Sequence, residues 1–319
     1  MKMGPKVSVI LPTYNRAPFL PRAVKSILAQ SFSDWELFVI DDGSTGETQR
    51  VIQPYLTDPR IHFLKKKREG VAAKTRNAGL RLARGKYVAF LDDDDLFLPH
   101  KLERQVTWMD ERPAVGLLYS LIQVADADLK PLKIVPKNPG RSFLELFQEN
   151  PIQVATVLVR RTCFDTVGFF DESLLGSEDY LMWLRIAERF PIDFLPETLA
   201  IYCKHGQNKS KFAIRQLQNR LRILDTFSAS RTKGLTQAMK NRCLSITHYR
   251  LAREFRDTAD YFQAAKHFLN AFRLNPAVGA AVKQPLARGP QEVLRALRPY
   301  GGLVYCIVKG YLHSRGGQI

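Results

Sequence analysis

The chain has 319 residues, 45% hydrophobic and 25% charged, which is ordinary globular material with enough apolar residues for a sizeable core and a length suited to one large or two modest domains. Its formal net charge of +17 is uneven: residues 211–319 hold 19 Lys/Arg against 5 Asp/Glu, leaving 29 against 26 for residues 1–210. The four cysteines (Cys163, Cys203, Cys243, Cys306) form no CxxC pair, which argues against a zinc knuckle or disulfide framework, and no segment approaches the roughly 20 apolar residues that span a bilayer.

Residues 7–11 form a β-branched run that predicts a strand, closed by Pro12-Thr13-Tyr14-Asn15. Pro21 opens a helical pattern that ends near Gln30. Residues 37–40 predict a second strand, followed by the turn Asp41-Asp42-Gly43-Ser44-Thr45, and residues 61–64 a third. A helix is expected over 70–83, with Gly85 as its stop, and a fourth strand over 87–91. This rhythm predicts an α/β fold with a mostly parallel sheet flanked by helices, whose Asp-rich turns share one edge.

The fourth strand runs directly into Asp92-Asp93-Asp94-Asp95. Four adjacent carboxylates repel one another unless a cation holds them, and a hard divalent ion would also clamp a diphosphate. A solvated acidic turn is the plainer reading of an isolated acid run. Farther on, a helix is expected over 99–109, a strand over 115–124, a loop over 126–140, order again at 143–147 and 154–159, and a helix over 177–187. Its first turn carries Glu178 and Asp179, acids that the helix dipole alone would favour. From residue 211 the chain reads as helices with a basic face, broken at Pro276, Pro285, Pro290 and Pro299.

In their order and with their neighbours, Val7-Ser-Val-Ile-Leu-Pro-Thr-Tyr-Asn15, Asp41-Asp42-Gly-Ser-Thr45, Phe90-Leu-Asp-Asp-Asp-Asp95 and Glu178-Asp179 resemble the family 2 glycosyltransferases of the GT-A fold. Ser26-Ile-Leu-Ala-Gln30, Lys74-Thr-Arg-Asn-Ala-Gly79, Gly85-Lys-Tyr87 and Val167-Gly-Phe-Phe-Asp171 support the match, which covers residues 6–210. The resemblance implies a Rossmann-like GT-A catalytic domain over 1–210 and a helical, basic region over 211–319 for acceptor, membrane-surface or oligomer contacts.

It also implies site residues. Asp42 matches the carboxylate that reads the nucleobase, and Pro12, Thr13, Tyr14 and Asn15 match the turn beside base and ribose. Arg76 and Asn77 match a helix lining the nucleotide pocket. Asp92 and Asp94 match the outer acids of the Asp-x-Asp signature, with Asp94 as ligand of Mn²⁺ or Mg²⁺, Asp92 at ribose or metal-bound water and Asp93 between them. His205 matches a diphosphate or metal contact, although Lys204 follows a Cys where the family often has Arg. Asp179 matches the catalytic base and Glu178 its neighbour. Trp183, one turn beyond, is either part of an acceptor pocket or core.

The resemblance thus implies an inverting, metal-assisted transfer of one sugar from a nucleotide-diphosphate donor, UDP favoured, to a hydroxyl of a saccharide or lipid-linked acceptor. Transfer of one sugar per encounter is expected because Gln218-Asn-Arg220 lacks the Trp of the processive synthases' motif. The basic C-terminal region would dock on anionic headgroups from the cytoplasmic side, or serve a homodimer surface. Two other readings stand beside this one. A polyanion-binding protein would explain the charge, but the sequence carries no helix-turn-helix, zinc finger or aromatic RNA-binding signature, so no nucleic acid is expected. A sugar nucleotidyltransferase would normally carry a Gly-rich loop where Leu11-Pro-Thr-Tyr-Asn15 has no glycine.

Overall fold

The structure is a computed structural model that describes residues 4–137, 139–205, 213–227 and 229–278. It divides into two compact units, Met1–Asn208 and Lys209–Ile319. The predicted helix breaks at Pro285, Pro290 and Pro299, and Cys306, lie outside the described residues.

The first unit is built on nine strands: β1 (Val7–Thr13), β2 (Trp35–Asp41), β3 (Ile61–Lys65), β4 (Tyr87–Phe90), β5 (Leu96–Phe97), β6 (Leu117–Ala125), β7 (Pro131–Val135), β8 (Leu158–Arg160) and β9 (Ile192–Cys203). Among the described residues seven α-helices accompany them: α1 (Leu20–Leu28), α2 (Gly46–Ile52), α3 (Ala72–Leu82), α4 (Lys101–Glu111), α5 (Phe143–Gln148), α6 (Thr162–Val167) and α7 (Glu178–Arg189). The strand order is β3-β2-β1-β4-β8-β6-β9-β5, with β7 on β6. β1 to β4 pair in parallel; β8 then enters antiparallel, and only β6 and β9 pair in parallel beyond it. The fold is thus mixed α/β, with its parallel pairing concentrated in the half that carries the acidic turns.

Burial explains the parallel half. Every residue of β2 is buried, as expected of a strand covered on both faces. The charge this encloses is neutralised locally: Glu36 accepts from Ser8 Oγ at 2.6 Å and from Arg84 Nη2 at 2.7 Å. Helix α1 starts with Pro21 in its first turn, where a missing N–H costs nothing, and buries Leu20, Ala23, Val24 and Ile27. Helix α3 lies close against the sheet at Gly79. A Cβ there would come within 2.7 Å of Ile10 Cγ2 and 3.2 Å of Ile40 Cγ1, so only hydrogen fits.

Two parts of the first unit differ from expectation. The loop expected over 126–140 contains β7, an exposed edge strand whose Pro131 and Lys133 hide the alternation that identifies buried strands. The twelve-residue β9 was not anticipated at all. Pro196 interrupts its apolar run, and the register against β6 shifts on either side of Leu121, so the strand continues through an irregularity.

The second unit contains α8 (Ala213–Thr226), α9 (Gln237–Asp257) and α10 (Tyr261–Leu274). Thr236 caps α9 by accepting from Met239 N, and Asp260 caps α10 by accepting from Gln263 N. Ala252, Ala264 and Phe268 form the shared core of α9 and α10, and Ser245 Oγ donates to the Ala271 carbonyl at 2.7 Å. Helix α10 ends at Leu274, two residues before Pro276. No helix among the described residues is long and apolar enough to cross a membrane.

Candidate active site

The parallel register explains how the motifs meet. Thr13 lies opposite Asp41 in the β1–β2 pair, and Ile10 opposite Phe90 in the β1–β4 pair. Three residues past each member of that second pair stand Thr13 and Asp93, and the Thr13 hydroxyl donates to Asp93 Oδ2 at 2.7 Å. The ends of β1, β2 and β4 therefore share one edge, as strand ends in an open α/β sheet should.

Arg76 of α3 is 5% exposed and spans two acids from different segments. Its Nη2 donates to Asp92 Oδ1 at 2.6 Å, and its Nη1 pairs with Glu178 Oε1. Burial works against the charge on Arg76, but Asp92, Glu178 and Asp179 outweigh it and push its pKa above the ordinary value. Ser177, in the left-handed region with φ 61°, turns the chain into α7 and puts both acids in the first helical turn. Burial, and then the neighbouring Glu178, raise the Asp179 pKa to about 7 against the pull of Arg76. Asp179 Oδ1 accepts from Tyr180 N at 2.8 Å. Trp183 is fully buried against Phe90 and Phe170, which makes it core.

A second cluster gathers at the other side of the acid turn. His205 Nε2 lies 2.9 Å from Asp94 Oδ2, and its ring stacks on Phe19 at 4.7 Å between centroids. Asp93 and Asp95 are buried. Burial, against the pull of the Thr13 hydroxyl, raises Asp93 to about 7; burial, then Asp94, raises Asp95 well above the carboxylate range. Asp95 Oδ1 accepts from Cys203 N at 3.1 Å, which fixes the end of β9, and so His205, beside the acids.

The residues expected around the base occupy a third cluster. Asp42 is 5% exposed; its Oδ2 accepts from Gly70 N at 2.8 Å, and its Oδ1 from Glu69 N and Lys66 Nζ at 3.2 Å each. Arg68 of the same loop lies over the Tyr14 ring, 3.9 Å from its centroid. Pro12 lies within β1, opposite Ile40. Asn15 joins the two turns, donating from its N to Ser44 Oγ at 2.8 Å and accepting at Oδ1 from Thr45 N at 2.9 Å. Asn77 faces elsewhere: it exchanges hydrogen bonds with both the N–H and the carbonyl of Phe170 and donates to Glu172, so it braces the loop ahead of α7.

Sequence reading passed over several residues that shape this site. Arg16 follows the first motif directly, and its Nη1 reaches Asp94 Oδ2 at 3.4 Å. The 66–70 loop carries no motif, although its basic run beside a strand end was visible.

The donor set suits a divalent cation. Asp94 and His205 present an oxygen and a nitrogen 2.9 Å apart, close to the ~3.0 Å between adjacent ligands of an octahedral ion with ~2.1 Å bonds. Among the described residues no group of three or more His, Cys, Asp or Glu forms a complete protein cage. Remaining positions would fall to substrate oxygens and water, as is usual for ions that bind diphosphates.

This sheet, with acids at the edge shared by its parallel strands, is the GT-A architecture. The chain belongs to glycosyl transferase family 2, whose sequence profile matches residues 8–168. An uncharacterized glycosyltransferase of Rickettsia felis is 36% identical over 197 residues, 61% of this chain, and the chain spans 32% of that relative's length. S. aureus TarS 1–349 in complex with UDP-GlcNAc superposes with a TM-score of 0.67 at 20% identity, covering 97% of this chain and 92% of that one. The mannosyltransferase PcManGT from Pyrobaculum calidifontis, in complex with GDP-Man and Mn²⁺, gives a TM-score of 0.59 at 19% identity, covering 98% and 86%.

Proposed function

We propose that this protein is an inverting glycosyltransferase that moves one sugar from a nucleotide-diphosphate donor, UDP-linked by preference, to a hydroxyl of a saccharide or lipid-linked acceptor. The observation that carries this reading is the Arg76 bridge, which joins the acid turn after β4 to the Glu178-Asp179 pair on α7. Donor-side and acceptor-side carboxylates are thereby held in one hydrogen-bonded unit.

Asp179 takes the proton from the acceptor hydroxyl as that oxygen attacks the anomeric carbon. A carboxylate titrating near 7 is matched to this task at neutral pH. Glu178, held by Arg76, keeps a second negative charge beside it. Asp94 and His205 would hold Mn²⁺ or Mg²⁺, which when bound offsets the charge developing on the departing diphosphate. Asp92 faces ribose or metal-bound water, and Asp93, tied to Thr13, supports the turn. Asp42 reads the base edge: its two oxygens have about four lone-pair positions, and the loop contacts named above use three. Tyr14 and Pro12 flank base and ribose, and Asn15 sets their turn.

The C-terminal unit is the candidate for docking on an anionic membrane face from the cytoplasmic side or on a second copy. In support, residues 211–319 carry 19 basic against 5 acidic side chains, and each cation near such a surface contributes about 1 kcal/mol.

A donor screen tests the reading by measuring released nucleoside diphosphate with Mn²⁺ or Mg²⁺ for wild type and Asp179→Asn. Acceptor-dependent release should fall by about 10²- to 10⁴-fold in the variant. Equal rates would remove Asp179 from the role of base.

A further inference from the structure

The mechanism above leaves Arg16 without a task, yet this side chain is held inside the site. Only 16% of it is exposed, and its guanidinium carbon lies 5.4 Å from the centroid of Phe19, the ring that stacks on His205. Its Nη1 is 3.4 Å from Asp94 Oδ2 and 3.4 Å from His205 Nε2. One cationic nitrogen thus spans the two donor atoms that the divalent ion would take.

The arrangement is internally contested. If Nε2 of His205 carries the proton, it donates to Asp94 and presents an N–H to Arg16; if it does not, it accepts from Arg16 and loses the bond to Asp94. No tautomer satisfies both contacts. A guanidinium and a divalent ion also repel each other, so with an ion held by Asp94 and His205 the Arg16 side chain would have to pair elsewhere. The displaced group cannot travel far, because Asn15 beside it is fixed to Ser44 and Thr45. The new anion that a nucleotide-sugar donor brings to this spot is its diphosphate.

We propose that Arg16 is a diphosphate-binding residue: it keeps Asp94 and His205 together before the ion binds, then passes its charge to the phosphate oxygens of the donor. This inference rests on the transferase reading. Arginine suits the task, since its planar fork matches phosphate geometry and a lysine would supply only a point charge.

Calorimetric titration of the full chain tests it, using wild type, Arg16→Ala and Arg16→Lys with four probes: Mn²⁺ alone, and UDP, GDP and UMP each with Mn²⁺. Arg16→Ala should bind UDP about 10- to 100-fold more weakly, UMP with a smaller loss, and Mn²⁺ alone as well as or better than wild type. Arg16→Lys should fall between. UDP affinity within twofold of wild type overturns the proposal, as does an equal loss for UDP, UMP and Mn²⁺, which would report a collapsed site. A wild-type chain that binds neither UDP nor GDP with Mn²⁺ overturns the transferase reading itself; retained UDP binding by Arg16→Ala overturns this inference alone.

Discussion

The turns after β2 and β4 are both rich in aspartate, both follow buried parallel strands, and both sit on the same edge, yet they are organised in opposite ways. After β2, Asp41 accepts from Ser44 N at 2.9 Å, and Asp42 accepts from two backbone N–H groups and Lys66. Its acids are solvated by neighbouring polypeptide. After β4, Asp92 and Asp94 pair with side chains drawn from distant segments, Arg76, Arg16 and His205, while Asp93 accepts from the Thr13 hydroxyl and Asp95 from the Cys203 N–H, and burial pushes these last two acids upward. Backbone amides cannot leave a carboxylate without unfolding a loop, whereas an arginine can rotate away. The first turn is therefore built to keep its shape, and the second to exchange partners at Asp92 and Asp94.

The contrast is broken most directly at Asp94. Asp94→Asn should reduce transfer by about 10³-fold or more and abolish tight Mn²⁺ binding, with no loss of thermal stability, because it relieves crowding among acids. A variant that unfolds instead would place this turn in the same class as the first. Arg76→Ala should cost about 3–5 kcal/mol of stability in denaturant titration, since it leaves Glu178 buried without its partner; adding Glu178→Gln should recover part of that loss. Asp42→Asn should cost about 1–2 kcal/mol and raise the donor KM roughly tenfold, because the 66–70 loop loses its anchor. Near-wild-type KM would detach Asp42 from base reading. The smallest effect is on pH. Asp179 must be unprotonated to act, and burial together with Glu178 holds its pKa near 7, so kcat/KM should fall about tenfold per unit below pH 7 and level off above it. A limb near pH 4 would contradict the raised pKa.

Legibility in the sequence followed how local each feature is. Strands β1, β2 and β4 announce themselves as apolar runs because both faces are covered, and the acids that terminate two of them were readable in place. Strand β9 was not, since Pro196 and the shifted register break the periodicity; β7 was not, since an exposed edge carries Lys and Pro where a core strand would not. Acids were legible and their counter-ions were less so. Arg16 stands one residue beyond the motif that was read, and its contacts with Asp94 and His205 cross 78 and 189 positions. Asn77 sits in a recognisable motif, and its contact with the Phe170 loop, 93 positions away, is not visible there.

Gly79 carries a consequence that reaches beyond its own position. It seats α3 on Ile10 and Ile40 with room for a hydrogen only, and Arg76 stands one turn earlier on the same helix. A methyl group at this seam would act as a wedge, lifting the helix and drawing the guanidinium back from Asp92 and Glu178. The reach of the reactive end is thus calibrated at a buried seam between helix and sheet, where a substitution outside the site would still retune it.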